Sequence, residues 1–168
     1  MKKLLLLTLT VFSIISCSQS PENKANALIQ KDVKNTLSHP ESYEALETVV
    51  DSAFAPFDDP AFYKKTLMIV KKTVGETNDS IVLELRKDCQ ELSDMMGTEY
   101  RFIGYKIKHS YSAQDNEGEP FVGERVYIMD KDMSGILAKY DTDSLDYVMV
   151  QTMYSLWRDE DFETQDSN

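Results

Sequence analysis

Tyr100-Arg101-Phe102-Ile103-Gly104-Tyr105-Lys106-Ile107-Lys108-His109 marks the point where the chain changes its period. Upstream, apolar residues recur every three or four positions; from Thr98 onward they alternate. Tyr100, Phe102 and Gly104 fall on one side and Ile103, Tyr105, Ile107 and His109 on the other, which predicts a long strand with aromatics on both faces. Asp115-Asn116-Glu117-Gly118-Glu119-Pro120 is a turn cluster, and Phe121 to Met129 is the returning strand. Asp130 to Gly135 then turns the chain into a last strand, Ile136 to Tyr140. Turns this short join antiparallel neighbours.

On the N-terminal side of this meander two helical patterns adjoin. Asp59 caps and Pro60 opens the first, which carries Phe62, Leu67, Ile69, Val70 and Val74 up to Gly75. After a break at Thr77 to Ser80, Ile81, Leu85, Cys89, Leu92 and Met96 recur at helical spacing until Gly97 stops them. A helical hairpin results, with Cys89 expected as a small buried hydrophobe. Earlier still, Tyr43 to Phe54 is rich in β-formers, with Leu46, Thr48, Val50, Ser52 and Phe54 on a side expected to be half-buried. Ser20-Pro21-Glu22 opens a first helix through Ala25, Leu28, Ile29, Val33 and Leu37, which ends before Pro40. Beyond the meander, a helix capped by Thr142 or Asp143 carries Leu145, Val148, Met149, Met153, Leu156 and Trp157 as its apolar stripe. The fold class is α+β: a mostly antiparallel sheet of about four strands, helices on one face, and a single domain over residues 21–158. Residues 159–168 read as a disordered acidic tail.

The first seventeen residues carry an address. Lys2 and Lys3 precede an apolar run from Leu4 to Ile15, the layout of a secretory signal peptide and too short for a spanning helix. Ile14-Ile15-Ser16-Cys17 resembles the bacterial lipobox. That resemblance implies cleavage of residues 1–16, lipidation of Cys17 and a tether over residues 17–20. Multiple acyl chains at about 0.8 kcal/mol per buried methylene make a firm membrane anchor.

The formal net charge is −11, and removal of Lys2 and Lys3 with the leader makes it two units more negative. Phosphate backbones and anionic headgroups repel such a chain, which argues against nucleic acid and against adsorption by charge alone. With Cys17 lipidated, Cys89 has no disulfide partner, and two distant histidines do not make a zinc site. No cofactor is implied.

Leu37-Ser38-His39-Pro40-Glu41-Ser42-Tyr43 resembles a Leu-x-Asp-Pro-x-Ser-Tyr segment of small uncharacterised lipoproteins of Bacteroidota, with Ser38-His39 standing where those usually carry Lys-Asp. Gly-Tyr-x-x-x-His-x-Tyr at Gly104 to Tyr111 is similar to the same proteins, with Ser112 where arginine is common. The resemblance implies long paired helices and a bacterial envelope protein. Surface lipoproteins of that group often carry acids just after the cysteine; Ser18-Gln19-Ser20 has none, so the periplasmic side is favoured.

Three constellations could carry chemistry. Asp130, Asp132, Ser134 and Asp141 match the spacing of a calcium loop, but flanking strands and a short twelfth residue favour a plain hairpin turn. His109 near phenols is the best candidate base, yet no nucleophile accompanies it, and a hydrogen-bonded sheet histidine is favoured. Tyr105, His109 and Tyr111 form a candidate ligand face, since tyrosine stacks on sugars and peptides, although core packing uses the same residues. The expected function is therefore a lipid-anchored binding or interaction protein with an envelope protein or glycan partner. The alternatives are an inhibitor or immunity protein blocking a basic envelope protein and, last, a hydrolase or other enzyme using His109.

Overall fold

The computed structural model describes residues 20–74 and 79–165. Residues 1–19, with Cys17, residues 75–78 and the last three residues lie outside the described residues; of the break expected at Thr77 to Ser80, Asp79 and Ser80 already belong to a helix. Ser20 caps α1 (Pro21–Lys34) by accepting from the Asn23 N–H at 3.3 Å, with Pro21 in the first turn. A one-turn 3-10 helix at Pro40–Ser42 leads into β1 (Glu44–Ala55). Asp59 accepts from Ala61 N–H at 2.8 Å and starts α2 (Pro60–Val74), which is followed by α3 (Asp79–Met96). Then come β2 (Arg101–Gln114), β3 (Pro120–Met129), β4 (Ile136–Asp141) and α4 (Leu145–Gln165). The α+β class, the helical hairpin and the meander are those the sequence implies.

The sheet has the order β1-β2-β3-β4 with every pair antiparallel, so β1 and β4 are its edges. Alternation along β3 splits the core. Tyr127 and Met129 point to one face and pack with Ala25, Ile29 and Val33 of α1 and with Ile107, Tyr111 and Ala113 of β2. Val126 and Ile128 point to the other face and pack with Ala53, Tyr140 and Tyr147. Phe62 and Ile69 of α2, Leu92 of α3, and Val150 and Tyr154 of α4 make the core between the remaining helices. The helices, expected on one face, are thus divided: both faces of the central strands are apolar, and α1 covers the face that the other three leave.

Several helical readings shift, each with its own cause. In α4 the buried side is Val150 and Tyr154 with Tyr147 and Trp157 beside them, while Leu145, Val148 and Leu156 are exposed. Tyrosine supplies the apolar body at two of these places, so a stripe drawn through aliphatic residues alone is rotated. Ser144 rather than Thr142 or Asp143 caps it, accepting from Tyr147 N–H at 3.2 Å. In α3, Asp88 takes the interior position and Cys89, one residue on and about 100° around the helix, is exposed. Asp88 is satisfied there by Lys65 at 2.8 Å and Lys72 at 2.7 Å, whose hydrogen bonds, Lys65 first, hold its carboxyl below the usual range. Helix α4 also runs on to Gln165 through much of the acidic tail, since each added residue of a formed helix closes one more hydrogen bond.

Gly104 has φ +154°, and a Cβ there would lie 1.9 Å from the Met129 carbonyl oxygen, beside the irregularity between Ala53 and Phe54. Gly104→Ala is expected to separate β2 from β3 at this end and to lower stability by about 2–4 kcal/mol, read as a reduced urea midpoint. Cys89 is expected to react with a thiol reagent in the native state, without denaturant, at a rate close to that of a free thiol.

Candidate functional site

The register aligns one polar row across all four strands: Thr48 opposite His109, His109 opposite Arg125, and Arg125 opposite Asp141. It lies on the face covered by α1. His109 is 3% exposed, with Nδ1 2.9 Å from Thr48 Oγ1 and Nε2 2.9 Å from the Tyr43 hydroxyl. Both ring nitrogens are therefore occupied by groups that can either donate or accept. Tyr111, 4% exposed, lies near the rings of His109 and Tyr43 and over Gly123, where an added Cβ would meet its ring at 2.6 Å. Tyr105 is half-buried against the same core.

Of the candidate ligand face of Tyr105, His109 and Tyr111, the structure buries His109 and Tyr111 and leaves Tyr105 half-buried. The three share a face, but it is the face that α1 packs on. His109 is almost fully buried, and its hydrogen bonds join Tyr43 and β1 to β2.

Arg125 and Asp32 anchor the same face and were not singled out from the sequence. Arg125 donates to Asp141 Oδ1 at 2.5 Å and to Thr36 Oγ1 at 2.9 Å, and its guanidinium lies over the Tyr111 ring. Asp32 accepts from the Tyr127 hydroxyl at 3.1 Å and from Lys139 at 2.7 Å. The available signal was Asp32 beside Val33 on the inward stripe of α1, a charge that needs a partner there.

Asp130 is used up within its own turn. Its Oδ1 accepts from Ser134 N–H at 2.7 Å and its Oδ2 from the Ser134 hydroxyl at 2.8 Å, bonds that hold its carboxyl below the usual range. Asp132 is exposed in the same turn. Asp141 stands five residues along β4 from Ile136, about 17 Å away at strand rise, paired with Arg125. The four candidate calcium ligands are not brought together, and among the described residues no group of three acidic, histidine or cysteine side chains is placed to hold a metal.

Two further features bear on binding. A cavity of about 80 Å³ on the second face is lined by Tyr63, Tyr140, Tyr147 and the ion pair of Lys106 with Asp58 at 2.8 Å. Space for so few atoms suits water better than a ligand. The other is β1, whose residues Glu44 to Ser52 are all exposed. The expectation of a half-buried side from Leu46 to Phe54 fails for most of its length, because α1 buries its apolar stripe against β2 and β3 and only its first turns come near β1, across an open cavity beside Thr48 and Val50. Leu46 is 53% exposed, Val49 and Val50 are exposed beside it, and Glu44, Glu47 and Asp51 interleave with them.

No family model, curated protein or solved structure matches the chain. No helix among the described residues is long and apolar enough to cross a membrane.

Burial pulls the His109 imidazole below the ordinary histidine value. As pH falls, the unfolded chain therefore takes this proton first. The stability held by neutral His109 is complete above about pH 6.5 and is lost as pH drops through the lower folded value. The urea midpoint should fall between about pH 7.5 and pH 5, and His109→Gln should lower it at pH 7.5 while flattening that slope.

Proposed function

We propose that the chain is a lipid-anchored interaction protein of a bacterial cell envelope, held through Cys17 on the periplasmic side, whose edge strand β1 receives a strand of a basic partner protein. The observation that carries this reading is β1 itself: an edge strand, exposed from Glu44 to Ser52, with apolar and acidic side chains interleaved. Unpaired main-chain groups on such an edge supply affinity, and alternate side chains supply selection. The acids and the irregularity between Ala45 and Glu47 oppose pairing of two β1 strands with each other. They favour a partner carrying lysine or arginine, and the strong negative charge, −11 for the full sequence and two units more without Lys2 and Lys3, speeds its encounter. A glycan stacked on Tyr105, His109 and Tyr111 finds less support, since His109 and Tyr111 are buried. No catalytic role is proposed.

An inhibitor or immunity protein is the special case in which the partner is a basic toxin or hydrolase. Asp115, Glu117 and Glu119 in the exposed β2–β3 turn add to the charge available for a positive cleft.

Cross-linking the intact lipoprotein in its native membrane, followed by mass spectrometry, should capture one dominant basic protein at near-equal stoichiometry. With that protein in hand, Glu47→Lys together with Asp51→Lys should slow association at least about tenfold at low salt and leave the circular dichroism unchanged. An unaltered rate would remove β1 from the interface.

A further inference from the structure

We infer that the end of the domain carrying the N-terminus of α1 rests on the bilayer, with Phe54, Tyr100, Phe102, Arg101 and Lys131 as its contact with the lipid headgroups. This rests on the proposed lipidation of Cys17. Ser20, the cap of α1, is three residues from that cysteine, and three extended residues reach at most about 11 Å. The acylated sulfur sits at the membrane surface, so the start of α1 must lie close to it as well.

The packing says what else is at that end. Glu22, Ala25 and Asn26 in the first turns of α1 border a cavity of about 200 Å³ with Met133, Val50 and Ile107, so the β3–β4 turn lies beside the start of the helix. Lys131 of this turn reaches over the Phe102 ring, 5.8 Å from its centre. Phe102 meets Phe54 and Tyr105, and Phe54 stacks on Tyr100 at 4.5 Å. Tyr100 is 72% exposed, so the stack ends in an open aromatic face. An aromatic ring with a polar tip beside cations is the composition that settles at the membrane–water interface.

Charge is distributed the same way. At this end exposed Lys24, Arg101 and Lys131 stand against exposed Glu22, Glu99 and Asp132, and half-buried Asp130 is tied to Ser134 within its turn, so repulsion from an anionic headgroup layer is small. At the far end, Ser38 after α1 is hydrogen-bonded to Asn116 of the β2–β3 turn. That turn exposes Asp115, Glu117 and Glu119 with no cation between Gln114 and Pro120. The acidic pole therefore points away from the lipid, and β1, running between the two ends, is left open from the side.

The test uses the purified full-length lipoprotein in vesicles of phosphatidylethanolamine and phosphatidylglycerol containing a phosphatidylethanolamine with a headgroup diazirine. After illumination, lipid adducts mapped by mass spectrometry should fall on residues 99–102 and on Lys131 at least about fivefold more than on residues 114–120. Replacing Tyr100→Ser and Lys131→Ser, both exposed, should reduce adducts on the neighbouring residues severalfold while the circular dichroism is kept. Even labelling of the two ends, or labelling concentrated on residues 114–120, with Cys17 acylated in the same spectra, would overturn this orientation and leave the anchor standing. An unmodified Cys17 would overturn the anchor, and this inference with it.

Discussion

The row Thr48, His109, Arg125 and Asp141 is the constraint on which the rest of the structure depends. It places polar and charged groups on a face that a helix covers, and such groups must find partners or cost stability. Their partners come from outside the sheet: Tyr43 on His109, and Thr36 and Asp32 of the α1 region on Arg125. The demand for hydrogen bonds thereby fixes where α1 ends and how the chain turns into β1. Apolar contact of Ala25, Ile29 and Val33 with Ile107, Tyr127 and Met129 supplies the burial, and the polar row supplies the register.

The same geometry explains which surface is left for work. A helix of 14 residues packed on the two central strands leaves most of the side of β1 that it faces exposed, while Ile107, His109 and Tyr111 of the neighbouring β2 are buried. Residues that look most like a site by chemistry, a histidine among tyrosines, are consumed in holding the fold. Residues that look like an ordinary strand are the ones that face solvent. The proposed division of the molecule into a lipid-facing aromatic end, an acidic far end and an open lateral edge rests on where α1 begins and finishes.

Much of this was legible in the sequence. The change of period at Thr98, the caps Ser20 and Asp59, and the turn clusters at Asp115 to Pro120 and Asp130 to Gly135 are local signals, and local hydrogen bonding satisfies them locally. They determined the order of elements, the antiparallel meander and the α+β class. The acidic balance and the cysteine after an apolar run are likewise properties of the chain itself.

Tertiary structure alone decided which faces meet. Asp88 went inward in place of Cys89 because two lysines of α2 could neutralise it, and no spacing within α3 announces a partner on another helix. Tyr147 and Tyr154 became core residues of α4 because their neighbours were aromatic. His109 and Tyr111 were buried, and Val50 left exposed, by the line along which α1 crosses the sheet. Period and propensity fix what an element is; burial depends on what long-range packing places against it.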